Sequence, residues 1–299
     1  MTAGGADMQT PTPLHILLLN GIQNLACDNW TRITRSVAAR HGTPSAETDE
    51  QIALNERTLS QLEELASLVG CPHSWLNYAR RAGERGQPAD PQRAFYSPDE
   101  VPRPVLIAAL TRQIHELQNG AGILAAHTLR NPDLDRGEHA NFKAVMGVVW
   151  QRLGAVSHEL AVTDREREQI WSRHGGRHWA NIVARELNGH TDQQLAARFH
   201  TVADADISMV AAPLIVCLRS GIALDDITKQ MPDSSDRMVE LVGVALDAMP
   251  RDPQGLAVHD AVAATTLGEE SGTEHISDES AWGDAGLAAP QVPDYGSEP

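Results

Sequence analysis

The sequence predicts an all-α protein. Apolar residues recur at helical spacing through most of residues 14–249, the mark of helices that each bury one face. No alternating apolar–polar run is long enough for a sheet. Four T-x-x-E/Q strings, Thr48/Gln51, Thr58/Gln61, Thr163/Glu166 and Thr191/Gln194, fit the capping box. In that box the Thr oxygen takes an orphan amide at a helix start and the Glu or Gln reaches back.

Residues 1–13 are small, polar and Pro-containing, and are expected to be disordered. An N-terminal helical domain is expected over 14–83. Leu14–Ala26 is apolar-rich, and Trp30, Ile33, Thr34, Val37 and Ala38 continue at helical spacing. Leu62, Leu65, Ala66 and Val69 form a stripe that Gly70 and Pro72 stop, and Trp75, Leu76 and Ala79 resume it. The end of this region, LSQLEELASLVGCPHSWL, also resembles the last helices of a bacterial repressor-type helix-turn-helix. Seven Gly and Pro residues between Gly83 and Pro104 mark a linker over 84–104. Two helices then form an expected spacer over 105–161. Leu106, Leu110, Ile114 and Leu117 mark the first, with Gly120 and Gly122 weakening its middle. Phe142, Val145, Met146, Val149, Leu153 and Val156 mark the second.

Residues 162–199 carry the most information. Thr163 and Glu166 cap a short helix holding Ile170 and Trp171, and Gly175–Gly176 is expected to end it. Trp179, Ile182, Val183 and Leu187 line one face of a second helix, closed by Asn188–Gly189. Thr191 and Gln194 cap a third, with Leu195 and Phe199 facing inward. Helices this short are not stable alone in water. A shared core of Ile170, Trp179, Ile182, Leu187, Leu195 and Phe199 is expected to hold them.

This trihelical segment resembles a Myb/SANT-type, homeodomain-like helix-turn-helix repeat. Val162, Thr163 and Glu166 match the opening of the family pattern. Gly175, Trp179 and Ile182 match its turn, Trp and following aliphatic residue. Leu187, Gly189, His190, Thr191 and Gln194 match the approach to the last helix, and Phe199 its closing aromatic. The sequence departs from the pattern at Val162, where an aromatic is usual, and at His190, where an Arg is usual. A degenerate second repeat is expected over 201–249, with Leu224, Ile227, Met231 and Ser235 standing for Trp179, Ile182, Leu187 and Thr191.

The resemblance implies a DNA-binding regulator, acting as a dimer or within a larger complex. Its last helix would enter the major groove of double-stranded DNA. His190, Gln193, Gln194 and Arg198 would face base edges, and Arg173, Arg177 and Arg185 would dock phosphates. Residues 163–199 hold six Arg against five acids, little charge for a DNA surface. The other reading is therefore a SANT-like helical adaptor that binds a protein and no DNA. Protein contact or self-association is expected through the N-terminal and spacer helices.

The 299 residues carry a net charge of −16, which excludes a general nucleic-acid coat. Ten of those charges lie in the last 53 residues, where eleven acids face one base, Arg251. Residues 250–299 are expected to be an acidic, disordered tail. Cys27, Cys71 and Cys217 are sparse and unpaired in spacing, which suits a reducing intracellular compartment and no disulfide framework. No membrane partner is expected. Phosphate-loop, nucleophile-elbow, HExxH and dinucleotide fingerprints are missing, so neither enzyme activity nor a cofactor is expected. His174 and His178 are four apart, but Gly175 and Gly176 between them argue against a metal pair.

Overall fold

The structure is a computed structural model and describes residues 11–38, 45–90, 101–133, 135–171 and 175–248. The fold class is as the sequence predicts: the described residues form eleven α-helices and no strand. Of the disorder expected over residues 1–13 and in the acidic tail, residues 1–10 and the tail lie outside the described residues, whereas Pro13 opens the first helix.

The first helix, α1, runs unbroken over Pro13–Ala38. Leu14, Leu18, Leu19, Ile22 and Ala26 are buried along its first half. Trp30, Ile33 and Val37 continue the stripe but stand exposed on its last two turns. The next helices, α2 (Ala46–Leu68) and α3 (His73–Glu84), pack against α1. Two expected helix starts inside α2 are corrected. Ser45, not Thr48, is the N-cap, its oxygen accepting from the Thr48 amide. Thr58 lies mid-helix, its hydroxyl donating to the Leu54 carbonyl at 3.1 Å. The Asn55–Leu59–Leu62–Leu65–Ala66 face buries continuously, so nothing interrupts the helix there. The string LSQLEELASLVGCPHSWL spans the end of α2, the turn at Gly70–Pro72 and the start of α3.

At the α1–α3 crossing a Cβ on Gly83 would sit 2.4 Å from the Gln23 carbonyl oxygen. Only hydrogen fits. The chain after α3 is no loose linker over 85–90. Gln23 Nε2 donates to the carbonyls of Gln87 and Pro88 at 3.0 and 2.9 Å, and Trp30 packs over Gly86, whose φ is +75°. Residues 91–100 of the expected linker lie outside the described set.

The predicted spacer is the centre of the fold. The helices α4 (Arg103–Arg130) and α5 (Arg136–Glu159) pack on each other and receive most of the C-terminal helices. Leu110, Ile114, Leu124, Phe142, Leu153 and Val156 are each at most 1% exposed, and each such side chain contributes about 1.5–3 kcal/mol of burial. The glycines that weaken α4 on paper have a packing role. A Cβ on Gly122 would fall 2.3 Å from Ile182 Cγ2, and one on Gly154 of α5 would fall 2.6 Å from Ile227 Cγ2. Neighbouring helices approach where the side chain is missing.

Six short helices complete the body: α6 (Asp164–Ile170), α7 (Gly176–Gly189), α8 (Asp192–Ala203), α9 (Ile207–Arg219), α10 (Leu224–Gln230) and α11 (Ser235–Asp247). Both C-terminal capping boxes form as read, at Thr163/Glu166 and Thr191/Gln194. Gly175 is the N-cap of α7 rather than the end of α6. The expected self-contained core is corrected. Ile170, Trp179, Ile182, Leu195 and Phe199 are buried, and Leu187 is half-buried, but in one cluster shared with α1–α5 and α9–α11. The main packing partners of α7 are α4 and α11, and those of α8 are α4 and α5. Phe199 stacks against Phe142 of α5 and His127 of α4, with ring centroids 5.1 and 4.1 Å apart.

In the segment 201–249, Ile227 and Met231 are buried as their expected likeness to Ile182 and Leu187 requires, and the difference lies at its start. Leu224, set against the buried Trp179, is 55% exposed. Among the described residues no single helix is long and apolar enough to cross a membrane; α8 and α9 reach that composition only together, and they bend by 53° between them.

Candidate functional site

The predicted DNA-reading residues sit on α7 and α8 and in the turn between them. The Thr191 cap starts α8 at a fixed point, and the buried Leu195, Phe199 and Ala203 set which face turns inward. Asp192, Gln193, Ala197 and Thr201 are left on the exposed side.

Arg173 lies outside the described residues. Arg177 is exposed in the first turn of α7, and Gln193 is exposed on α8. The remaining residues are tied into the fold. The Gln194 side-chain oxygen accepts from the Thr191 amide at 2.9 Å, which holds that oxygen in the capping box and away from a base edge. Arg185 donates to Asn119 Oδ1 of α4 at 2.6 Å. Arg198 pairs with the Glu186 carboxylate of α7. Its Nη1 also lies 2.9 Å from His190 Nε2, and His190 Nδ1 lies 3.5 Å from Glu186 Oε2. His190, Arg198 and Arg185 thus come together, but around a carboxylate that is 1% exposed. The guanidiniums answer a buried negative charge inside the molecule.

That carboxylate escaped the sequence reading, although a signal for it exists. Glu186 falls seven residues after Trp179, on the same face as Ile182 and Val183. An acid on the inward stripe of an amphipathic helix needs a cation close by, because an unpaired buried charge is costly. Arg130 escaped as well. From the end of α4 it donates to the carbonyls of Leu187 and His190 and pairs with Asp192 at 2.7 Å. The last carbonyls of α7 are capped by a side chain from another helix.

A separate group of basic residues in the sequence, Arg80, Arg81, Arg85 and Arg93, lies at and after α3. Arg80 pairs with Glu56, Glu63 and Glu84 at 2.9, 3.2 and 3.1 Å, which spends its charge, and Arg93 lies outside the described residues. Of the histidine pair, His174 is not among the described residues. His178 Nε2 lies 3.2 Å from Gln118 Oε1, a buried amide of α4.

Family models, curated proteins and solved structures were compared with the chain, and none matches.

Proposed function

We propose that the chain is a helical protein-interaction adaptor that works as a pair of identical copies, and that it does not read DNA sequence. One observation carries the choice between the two readings. Arg198, the one basic side chain of the would-be recognition helix, is committed to Glu186. Gln194 is committed to its own helix cap. Arg177 and Gln193 are too little for an interface that depends on several phosphate contacts.

The self-association reading is supported by α9. Ile207, Ile215 and Leu218 are 39%, 44% and 38% exposed, and with the partly buried Ala211 they follow one helical stripe about 17 Å long. Asp206 precedes this helix and Arg219 ends it, both exposed. An antiparallel second copy of α9, related by a two-fold axis, sets Ile207 opposite Leu218 and Val210 opposite Ile215. The same apolar stripe then faces itself across the axis, as a two-fold interface requires. This moves the expected contact from the N-terminal and spacer helices to α9.

Two measurements on the full chain test the proposal. Light scattering after size exclusion is expected to give a dimer, and Ile215→Asp a folded monomer. Gel shift with random duplex DNA is expected to give no retardation at low salt. A wild-type monomer at the highest soluble concentration overturns the pairing. Retardation that fades with salt and is lost in Arg177→Ala overturns the adaptor reading in favour of the regulator.

A further inference from the structure

We propose that Glu138, His200 and Asp204 bind one divalent transition-metal ion of the zinc class at the junction of α5 and α8. None of its residues belongs to the predicted DNA-facing set or to the α9 stripe. Glu138 lies in the first turn of α5. His200 occupies the last turn of α8 and Asp204 is its C-cap, four residues apart and so on one side of the helix. One ligand atom from each of the three residues lies within 4.8 Å of the others, and His200 Nδ1 is 3.9 Å from Glu138 Oε1.

The setting suits a cation. Donors around a tetrahedral zinc ion stand about 3.3 Å apart, given metal–ligand distances of about 2 Å. The side chains therefore need to close on the ion by rotation. Exposure leaves them that freedom: Glu138 and His200 side chains are 39% and 44% exposed, and Asp204 is exposed. The backbone beneath is fixed. Asn141 of α5 donates to the carbonyls of Ala203 and Ala205, on either side of Asp204. The C-terminal end of α8 carries partial negative charge that favours a cation. Two carboxylates and one imidazole leave a fourth position for water, as in open zinc sites.

A second observation, on a different helix, points the same way. His127 of α4 is 3% exposed, and its Nδ1 has no hydrogen-bond partner. Its ring stands edge-on to His200, with centroids 5.9 Å apart. A buried ring with an unused nitrogen therefore stands directly behind the ligand His200.

The test titrates the chelator-stripped full chain with zinc ions alone, by calorimetry. One equivalent is expected to bind, with a rise in Tm. Asp204→Asn, an exposed substitution that leaves the packing intact, and His200→Ala are each expected to weaken that event at least tenfold and to abolish the rise. Cobalt ions are expected to give visible d–d absorption in the wild type that is lost in both variants. Zinc binding of equal strength and stoichiometry in the wild type and both variants overturns the site, as does an absence of binding in the wild type.

Discussion

Arg198 on α8 neutralises Glu186 on α7, and the carboxylate it answers is 1% exposed while the guanidinium is 38% exposed. The pair ties together two helices whose main packing partners are other elements. Removing one partner leaves a buried acid with only Arg185 and His190, each 3.5 Å away. Arg198→Ala is expected to lower stability by about 2 kcal/mol, because a buried charge loses its strongest partner. The double variant Glu186→Gln, Arg198→Met is expected to recover most of that loss. Urea titrations of the three chains check both; a double variant as unstable as the single one refutes the ion-pair account.

The close helix crossings give a pair of glycine predictions with opposite signs. Gly83→Ala places a methyl 2.4 Å from backbone oxygen at the α1–α3 contact, and is expected to cost about 2 kcal/mol or more through forced separation of the helices. Gly243 sits inside α11 with nothing within 4 Å of an added Cβ. Gly243→Ala is expected to stabilise by about 0.5–1 kcal/mol through backbone entropy alone. Thermal melts of the two variants decide this.

The start of α6 carries an acid-sensitive contact. Glu166 accepts from Arg103 at 2.8 Å and from the Thr163 amide at 2.9 Å. The Arg103 guanidinium first, and the cap amide next, hold its carboxyl down at about 2 against the usual 4.5. The folded state therefore takes up the proton later than the unfolded chain as pH falls. The stabilisation is complete above about pH 4.5 and disappears towards pH 2. The site is largely solvated, so Glu166→Gln is expected to cost at most about 1 kcal/mol at neutral pH. Wild type and variant are expected to converge in acid, which paired denaturation curves at pH 7 and pH 2.5 measure.

The cysteines are expected to differ sharply in reactivity. Burial pushes the Cys71 and Cys217 thiols up to about 12, whereas Cys27 on α1 is half-buried. The thiolate is the attacking species, so a disulfide reagent at pH 8 is expected to titrate one thiol in the native chain and three after unfolding. Cys27→Ser is expected to abolish the native reaction. A second fast-reacting thiol in the native chain contradicts the burial of the other two.

Helix type, and many helix ends, were legible because local chemistry decides them. The caps at Thr163 and Thr191 form from residues three apart. The apolar stripes predicted the burial of Ile114, Phe142, Trp179 and Phe199. What local pattern does not encode is the partner of each stripe. The face of α7 at Trp179, Ile182 and Val183 fits a small bundle with α6 and α8 as well as a groove on α4 made by Gly122. The choice rests on contacts about sixty residues away in sequence. Thr58 likewise looked like a helix start, because its four-residue pattern carries no sign of the stripe running past it. The commitment of Arg198 and His190 to Glu186 is hidden from the sequence for the same reason. Exposed basic side chains on a short helix look available until a buried acid on the preceding helix claims one of them.

The stack of Phe199 between His127 and Phe142 has a bearing on how such a chain can diversify. Cut out at its apparent borders, the 162–199 stretch would leave behind the rings and the glycine notch that receive its inward side chains, and would carry greasy surface into solvent. The stretch is therefore expected to keep its fold only together with the long helices beneath it.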